Sequence, residues 1–486
     1  MEIPFFFIED RTHSPIQSDL ATLINYIARK SRNGRQTRTA HIVVLPYPGQ
    51  GHINPLLQFA KSLASKGVKA TIATTRYTVK SIHAAGVAVE GISDGFDQGG
   101  FTQAQDEDAY LKSFKENGTR TLSQLVHKYQ ETSFPITCII YDSFFPWALD
   151  VARKHGILGA SFFTNSAVVC AIFCHIHNGT LALPVNVEDE EPLVLAGLPP
   201  LKACDVPGFI KEPESYPAYL AMKLSQFSNL DKADFVFCNS FQELEGKVPK
   251  LVGPMVPSYY LDGRIEGDKG YGASLWKPLN DHCAKWLATR PPKSVAYISF
   301  GSMVKLTSKQ TEEIAYALMR GNTHFLWVVR DSERHKLPSQ FLEATEHRGL
   351  IVSWCNQLEV LANGAVGCFV THCGWNSTVE GLSLGVPMVA IPQWSDQMTD
   401  AKFIEEVWGL GVRCREDEFG VVRSEEVLFC LKEVLEGEKC EVIRRNARKW
   451  RVLAIRAVGE GGSSDKCINE FVTNLKIFKH KREKEV

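Results

Sequence analysis

No apolar run in this 486-residue chain is long enough to cross a membrane. Charge of one sign is scarce as well. The 54 lysines and arginines face 55 aspartates and glutamates, a formal net charge of −1, so there is no electrostatic case for nucleic acid or an anionic membrane as partner. Cys-x-x-Cys spacing is missing. The 13 cysteines are an odd number and scattered, which indicates neither a disulfide framework nor a zinc site, and Cys170 and Cys174 read as core packing. A complete G-x-G-x-x-G is missing too: after Gly49-Gln50-Gly51 the third glycine is replaced by Asn54. The following strand ends in Thr74-Thr75-Arg76, without an acidic residue for a ribose, which disfavours nicotinamide binding. What is present is a globular composition, 44% hydrophobic and 22% charged, and a length that suits two domains. A reducing, cytoplasmic compartment fits this pattern.

Residues 1–39 read as a flexible extension. Pro4–Ile8 is apolar but too short for a signal core, Asp19–Arg29 has the pattern of a short amphipathic helix, and Arg29–Arg38 is basic. Beyond them, His41–Leu45 is a continuous apolar strand, and Asn54 as cap with Pro55 at the first helical position predicts a helix to about Ser65. His52 then falls in the loop at the carboxyl end of that strand. Ile136–Tyr141, a second buried strand, delivers Asp142 to its own carboxyl end. Open α/β sheets place their chemistry at such ends, and a carboxylate behind a histidine orients the ring and supports its protonated form. Three shorter matches are set aside. Gly91–Gly95 fits G-x-S-x-G but runs into a loop; Asp106-Glu107-Asp108 reads as the acidic first turn of a helix; His175 and His177 find no further ligands nearby. No metal is expected.

The densest chemistry lies between Trp354 and Gln397. Val366–Thr371 reads as a buried strand that stops at His372-Cys373-Gly374-Trp375-Asn376-Ser377, with Asn376 or Ser377 capping a helix over about Thr378–Leu384. A helix start is an anion site, to which His372, Asn376 and Ser377 would add donors. Trp354 offers a flat face to a base, Glu380 accepts from ribose hydroxyls, and Asp396 and Gln397 follow the next strand towards a sugar.

Those positions, with Cys355, Gln357 and Trp375, resemble almost residue for residue the signature box of plant UDP-dependent glycosyltransferases, inverting enzymes of the GT-B fold. Asn356 stands where that family often has proline. The resemblance covers roughly Ala40 to Leu475 and implies an α/β fold of two Rossmann-like doubly wound domains across a cleft. It places an acceptor-binding domain at 40–250, a linker at 251–285, a UDP-sugar domain at 286–460, and a last helix (461–486) returning to the first domain. It implies His52 as general base with Asp142 as its partner, Ser302 at the phosphates and Thr164 at the donor sugar. Gly51, Phe96, Trp147, Phe163 and the run Tyr216–Tyr219 are candidates for an apolar acceptor pocket. The chain between Glu245 and Val252 is shorter than its relatives usually are. Gln397 suggests UDP-glucose, and SDGFDQGGF, YDSFFPWALDVA and FQELE are closest to the subgroup that glucosylates small carboxylic acids and phenols such as salicylate or indole acetate. The expectation is a monomeric, cofactor-free O-glucosyltransferase. A silent UDP-sugar binder, a thiol glucosyltransferase of the same family, and a phosphorylase or hydrolase on the same architecture are the alternatives.

Overall fold

The computed structural model describes residues 39–185, 191–246 and 250–485. Its frame is two six-stranded sheets, parallel throughout. The first has the order β3-β2-β1-β4-β5-β6, with β1 His41–Leu45, β2 Lys69–Thr75, β3 Val87–Ile92, β4 Ile136–Asp142, β5 Leu158–Phe163 and β6 Phe235–Cys238. The second has the order β12-β11-β10-β7-β8-β9, from β7 Val295–Ser299, β8 His324–Val328, β9 Gly349–Val352, β10 Val366–Thr371, β11 Met388–Ala390 and β12 Gly411–Arg413. Each is the doubly wound order, reversing direction beside its own first strand. The strands are continuous apolar runs because helices cover both faces, and β1, β4, β7 and β10 are buried along their whole length.

The reversal points set the position of the chemistry. In the first half β1 and β4 run side by side to Leu45 and Tyr141, so the Gly49–His52 turn and Asp142 emerge together. In the second half β7 and β10 end side by side at Ser299 and Thr371, so Gly301-Ser302 and His372 emerge together. The final helix, Ser463–Glu485, packs Ile468, Phe471, Val472 and Leu475 into the core under β1 and β2, so the chain end does return to the first half.

Two connections differ from the sequence expectation. The segment Tyr259–Pro278, whose polar, glycine-containing composition reads as a surface linker, is pinned on both sides. Buried Asp268 takes hydrogen bonds from Gln58 at 2.7 Å and from the Ser258 N–H at 2.7 Å and pairs with Lys61. Gln50 bonds the Ala273 carbonyl at 3.2 Å and the Leu275 N–H at 3.0 Å. The shortened stretch lies partly outside the described residues, but its flanks are anchored. Buried Glu245 accepts from the Ala167 and Val168 N–H groups at 3.0 and 3.1 Å, and Leu251 bridges to Cys238. The N-terminal extension lies outside the described residues apart from Thr39.

The halves are also clamped by buried charge. Asp205, from the first half, binds Lys402 at 2.9 Å and Arg413 at 2.8 Å, both from the second, and all three side chains are nearly buried. Deleting one member of such a cluster leaves uncompensated charge in the interior. Asp205→Ala is expected to destabilise the protein by about 3–5 kcal/mol, read as a lowered Tm and a smaller urea midpoint.

Candidate active site

Between the sheets lies a cleft of about 640 Å³, walled by residues of both halves and of the linker. On the first-half side, the helix after β1 starts earlier than Asn54 and Pro55 predict: it spans Gln50–Ser65, capped by the backbone of Gly49. His52 is therefore in a helical first turn rather than in a loop. Pro55 has no N–H, so the Gly51 carbonyl lacks its usual helical partner, and the Asn376 side-chain amide donates to it from the other half.

The His52 Nδ1 lies 2.7 Å from Asp142 Oδ2 and 3.1 Å from Thr164 Oγ1. Asp142 is wholly buried, and its Oδ1 accepts the Phe144 N–H at 3.1 Å. An ionised carboxylate only accepts, so the bond places the ring proton on Nδ1 and leaves Nε2 as a lone-pair site. The rings of Phe144 and Tyr47 hold the imidazole at centroid distances of 4.9 and 5.3 Å.

On the second-half side, the helix after β10 spans Trp375–Leu384, three residues earlier than predicted. Its cap is Gly374, with no side-chain cap bond, so neither Asn376 nor Ser377 caps it. The first carbonyl-to-amide bond closes at Thr378, leaving the N–H groups of Trp375, Asn376 and Ser377 without helical acceptors at the positive end of the dipole. His372 is packed between glycines: a Cβ on Gly301 would meet its ring at 2.8 Å, and one on Gly374 at 2.5 Å. Burial pushes its pKa down to about 4, against the opposing charge of Asp396, so it is a neutral imidazole with one N–H to give. Ser302 lines the same end, its carbonyl held by Arg330 at 2.7 Å. Trp375 also lines the cleft, but its indole N–H is bonded at 2.8 Å to the Asn239 carbonyl of the first half.

Next to this cradle is a connected polar set. Gln357 Nε2 donates to Ser377 Oγ at 2.9 Å and to Glu380 Oε2 at 2.8 Å, and the Tyr271 hydroxyl donates to Glu380 Oε1 at 2.9 Å. Burial raises the Glu380 pKa to about 7 in spite of these two donors. The Trp354 ring packs at a tilt against that of Trp276, centroids 4.6 Å apart. Asn356, where proline is frequent, uses the N–H that proline lacks, donating it to Asn280 Oδ1 at 2.8 Å. Cys355 lies beneath, 3.6 Å from the Tyr297 hydroxyl. Asp396 and Gln397 close the far wall, and Gln397 Oε1 accepts the Gln393 and Trp394 N–H groups at 2.9 and 3.2 Å.

The comparisons agree with this geometry. A family model described as UDP-glucoronosyl and UDP-glucosyl transferase matches residues 259–447. UDP-glycosyltransferase 74B1 of Arabidopsis thaliana is 50% identical over 453 residues, covering 90% of this chain and 97% of its own. Flavonol 7-O-beta-glucosyltransferase UGT74F1 of the same plant is 47% identical over 90% and 98%. The crystal structure of Os79 from O. sativa in complex with UDP superposes with a TM-score of 0.85 at 39% identity, covering 89% of this chain and all of that one. The chain belongs to the UDP-glycosyltransferase family. Its two parallel doubly wound halves are the GT-B fold.

Of the residues that the sequence offered to this UDP-glycosyltransferase for an apolar pocket, only some reach the cleft. Gly51 and Tyr219 line the cleft; Phe96, Trp147 and Phe163 do not. Trp147 is buried against Phe145 at 5.3 Å and Phe114 at 6.1 Å, Phe163 packs on Phe227 at 5.7 Å, and Phe96 stacks on Tyr110 at 5.9 Å. Phe163 ends a strand of a sheet covered on both faces, where an aromatic is core on either side, and Trp147 opens a helix that turns it into the core as well. The lining instead comes from Tyr47, Phe144, Phe209, Met222, Lys223 and Trp394. Of these, Phe144 had a usable signal: it follows Asp142 by two residues, in the same loop. His175 bonds Thr180 at 2.9 Å, and among the described residues no group of three or more His, Cys, Asp or Glu could hold a metal.

Proposed function

We propose that this enzyme transfers glucose from UDP-glucose to a hydroxyl or carboxyl of a small apolar or aromatic acceptor, with inversion and without a metal. The supporting observation is that the His52–Asp142 pair and the open N-terminus of the Trp375 helix face the same cleft from opposite halves. In this reading His52 Nε2 takes the acceptor proton as the acceptor oxygen bonds to the anomeric carbon. The bond from that carbon to the diphosphate oxygen breaks on the opposite face, and UDP departs with the electron pair. The helix N–H groups, His372, Ser377 and Ser302 receive the departing charge; each well-aimed donor of this kind is worth about 3 kcal/mol where water is excluded. Trp354 holds the base, Glu380 and Gln357 the ribose, Asp396, Gln397 and Thr164 the hexose, and Cys355 supports the base platform.

Os79 has been crystallised with UDP and with a trichothecene, and a Crocus sativus relative, 43% identical, is named Crocetin glucosyltransferase 2. Those names support a small-molecule acceptor. No helix among the described residues is long and apolar enough to cross a membrane, and we place the enzyme in the cytoplasm as a monomer. The test is an acceptor panel of phenols, alcohols, thiols and carboxylic acids with UDP-glucose, scored by mass and by the configuration of the product. Products should be β-glucosides or β-glucose esters. UDP binding without turnover of any acceptor would instead support a silent binder, and turnover with free phosphate or water would support a phosphorylase or hydrolase.

A further inference from the structure

The linker sends the Tyr271 side chain to the donor end of the cleft, where its hydroxyl meets the Glu380 carboxylate. The hydroxyl donates to Oε1 at 2.9 Å, and Gln357 Nε2 donates to Oε2 at 2.8 Å. The Gln357 amide is itself oriented by the Tyr297 hydroxyl, which donates to its Oε1 at 3.3 Å. Burial first, and the Glu380 charge second, push the Tyr271 phenol far above its ordinary pKa, so it stays protonated and remains a donor. A phenylalanine would fill the same space and lack the bond.

The backbone that carries Tyr271 is fixed to the other wall. The Gly270 carbonyl accepts from Lys61 Nζ at 2.7 Å, the Gly272 carbonyl from the His83 N–H at 2.6 Å, and the Ala273 carbonyl from Gln50 at 3.2 Å. All three donors lie in the first half. Gly272 has a φ of +84°, and a Cβ there would meet the His83 carbonyl oxygen at 2.7 Å, so only glycine lets the linker press this closely on that half. Glu380 belongs to the helix Trp375–Leu384 of the second half. The hydroxyl therefore reaches from a segment held by one half to a carboxylate carried by the other.

What it does there follows from a count of lone pairs. An ionised carboxylate offers about four acceptor sites, two on each oxygen. Tyr271 uses one on Oε1 and Gln357 one on Oε2, which leaves one on each oxygen, side by side. The two vicinal hydroxyls of a ribose fit that pattern. Without Tyr271, Oε1 has no donor among the described residues, and the carboxyl is freer to turn about its last bond. The buried charge also loses one of the two bonds that oppose its desolvation.

We propose that Tyr271 is a positioning residue of the donor site, holding Glu380 Oε1 so that both carboxylate oxygens face the ribose hydroxyls of the nucleotide. It acts on the donor through Glu380, and its role rests on the reading of that carboxylate as the ribose acceptor. The titratable groups that face Glu380 are Tyr271, Tyr260 and Tyr297, and burial raises all three phenols well above the ordinary value. None of them changes charge near neutral pH.

The test measures UDP and 2′-deoxy-UDP binding by calorimetry to the wild type and Tyr271→Phe between pH 6 and 8.5. Protonation of the nucleotide is common to both proteins and cancels in the ratio of their affinities. That ratio should favour the wild type about tenfold at pH 6 and shrink to about twofold or less at pH 8.5, as when loss of one donor moves the carboxyl up by about one pH unit. A general loosening of the linker would give the same ratio at every pH. At pH 7 the wild type should prefer UDP to 2′-deoxy-UDP about tenfold, and Tyr271→Phe by less than about threefold. Tyr271→Met, an adaptable side chain that also lacks the hydroxyl, takes its place should the phenylalanine variant not fold. A constant ratio, an equal preference for UDP in both proteins, or tighter UDP binding by the variant would overturn the role of Tyr271. The last of these would mean that its hydroxyl stands where the ribose must go. A wild type indifferent to the 2′-hydroxyl would instead remove the ribose assignment of Glu380, and the role of Tyr271 with it.

Discussion

Exchange of His52 for alanine is expected to lower turnover of a neutral phenol about 10²- to 10⁴-fold, the usual range for a general base, while UDP affinity changes less than twofold. The size follows from how the ring is held. Nδ1 is fixed by Asp142 at 2.7 Å and Thr164 at 3.1 Å, and Phe144 and Tyr47 pack on the imidazole, so the lone pair on Nε2 is presented without reorganisation. Acceptor chemistry should modulate the loss. A carboxylic acid is ionised at neutral pH and needs no base, so its turnover should fall far less than that of a phenol. Asp142→Asn should fall between: an amide oxygen still accepts the Nδ1 proton but no longer stabilises the imidazolium, and its NH2 must face either the ring or the Phe144 N–H. Steady-state rates on a phenol and an acid, with UDP binding by calorimetry as the folding control, check both variants. Undiminished phenol turnover in His52→Ala would remove the base assignment.

How much of this was legible depended on whether a feature was local. The strands were. Val366–Thr371 and His41–Leu45 are the apolar runs that a sheet covered on both faces requires, and their bounds were found to the residue. Helix starts were so at Glu107, where the acidic turn lies as read, but not at two others, and both misplacements have one physical source. Asn54-Pro55 and Asn376-Ser377 are good starting signals in isolation, yet each helix begins earlier, at Gln50 and Trp375. The Asn376 amide is bonded to the Gly51 carbonyl that Pro55 leaves open, so each signal is answered by the other half of the molecule. A rule that reads only neighbours along the chain has no access to that exchange.

The site divides the same way. Residues Trp354 to Gln397 were readable as one motif, and they line the cleft together with Ser302 and Tyr271 from outside that stretch. The apolar lining beside His52 draws on separated segments, from Tyr47 to Trp394, and no spacing links them. Trp147 and Phe163 looked as suitable as Phe144, because only the tertiary fold decides which aromatics turn towards the cleft and which towards Phe114 or Phe227. Tyr271 and Trp276 were hidden by a polar, glycine-containing composition that reads as exposed linker, although both reach the signature stretch.

Glu380→Gln should separate stability from donor binding. In the folded protein burial raises the Glu380 pKa from 4.5 to about 7. The folded state thus holds the proton more tightly than the unfolded chain. The favourable contribution is intact below about pH 4.5, declines as pH rises, and has been lost by about pH 7, above which the ionised buried carboxylate imposes a constant penalty of about 3 kcal/mol. Glutamine suits the same neighbours, its oxygen accepting from Gln357 and its amide donating to the Tyr271 hydroxyl. The variant should therefore melt several degrees above the wild type at pH 8 and at nearly the same temperature at pH 5. UDP affinity should move the other way. A carboxylate accepting from ribose hydroxyls makes charge-assisted bonds of about 1.5–3 kcal/mol, so the variant should bind UDP about 10- to 100-fold more weakly at pH 8. Wild-type affinity should decline more steeply than that of the variant as pH drops through 7, the variant following only the protonation of the terminal phosphate of UDP itself. A wild type no steeper than the variant would mean that the ribose is not carried by Glu380; a variant no more stable at pH 8 would mean that the carboxylate does not enter the interior as an ion.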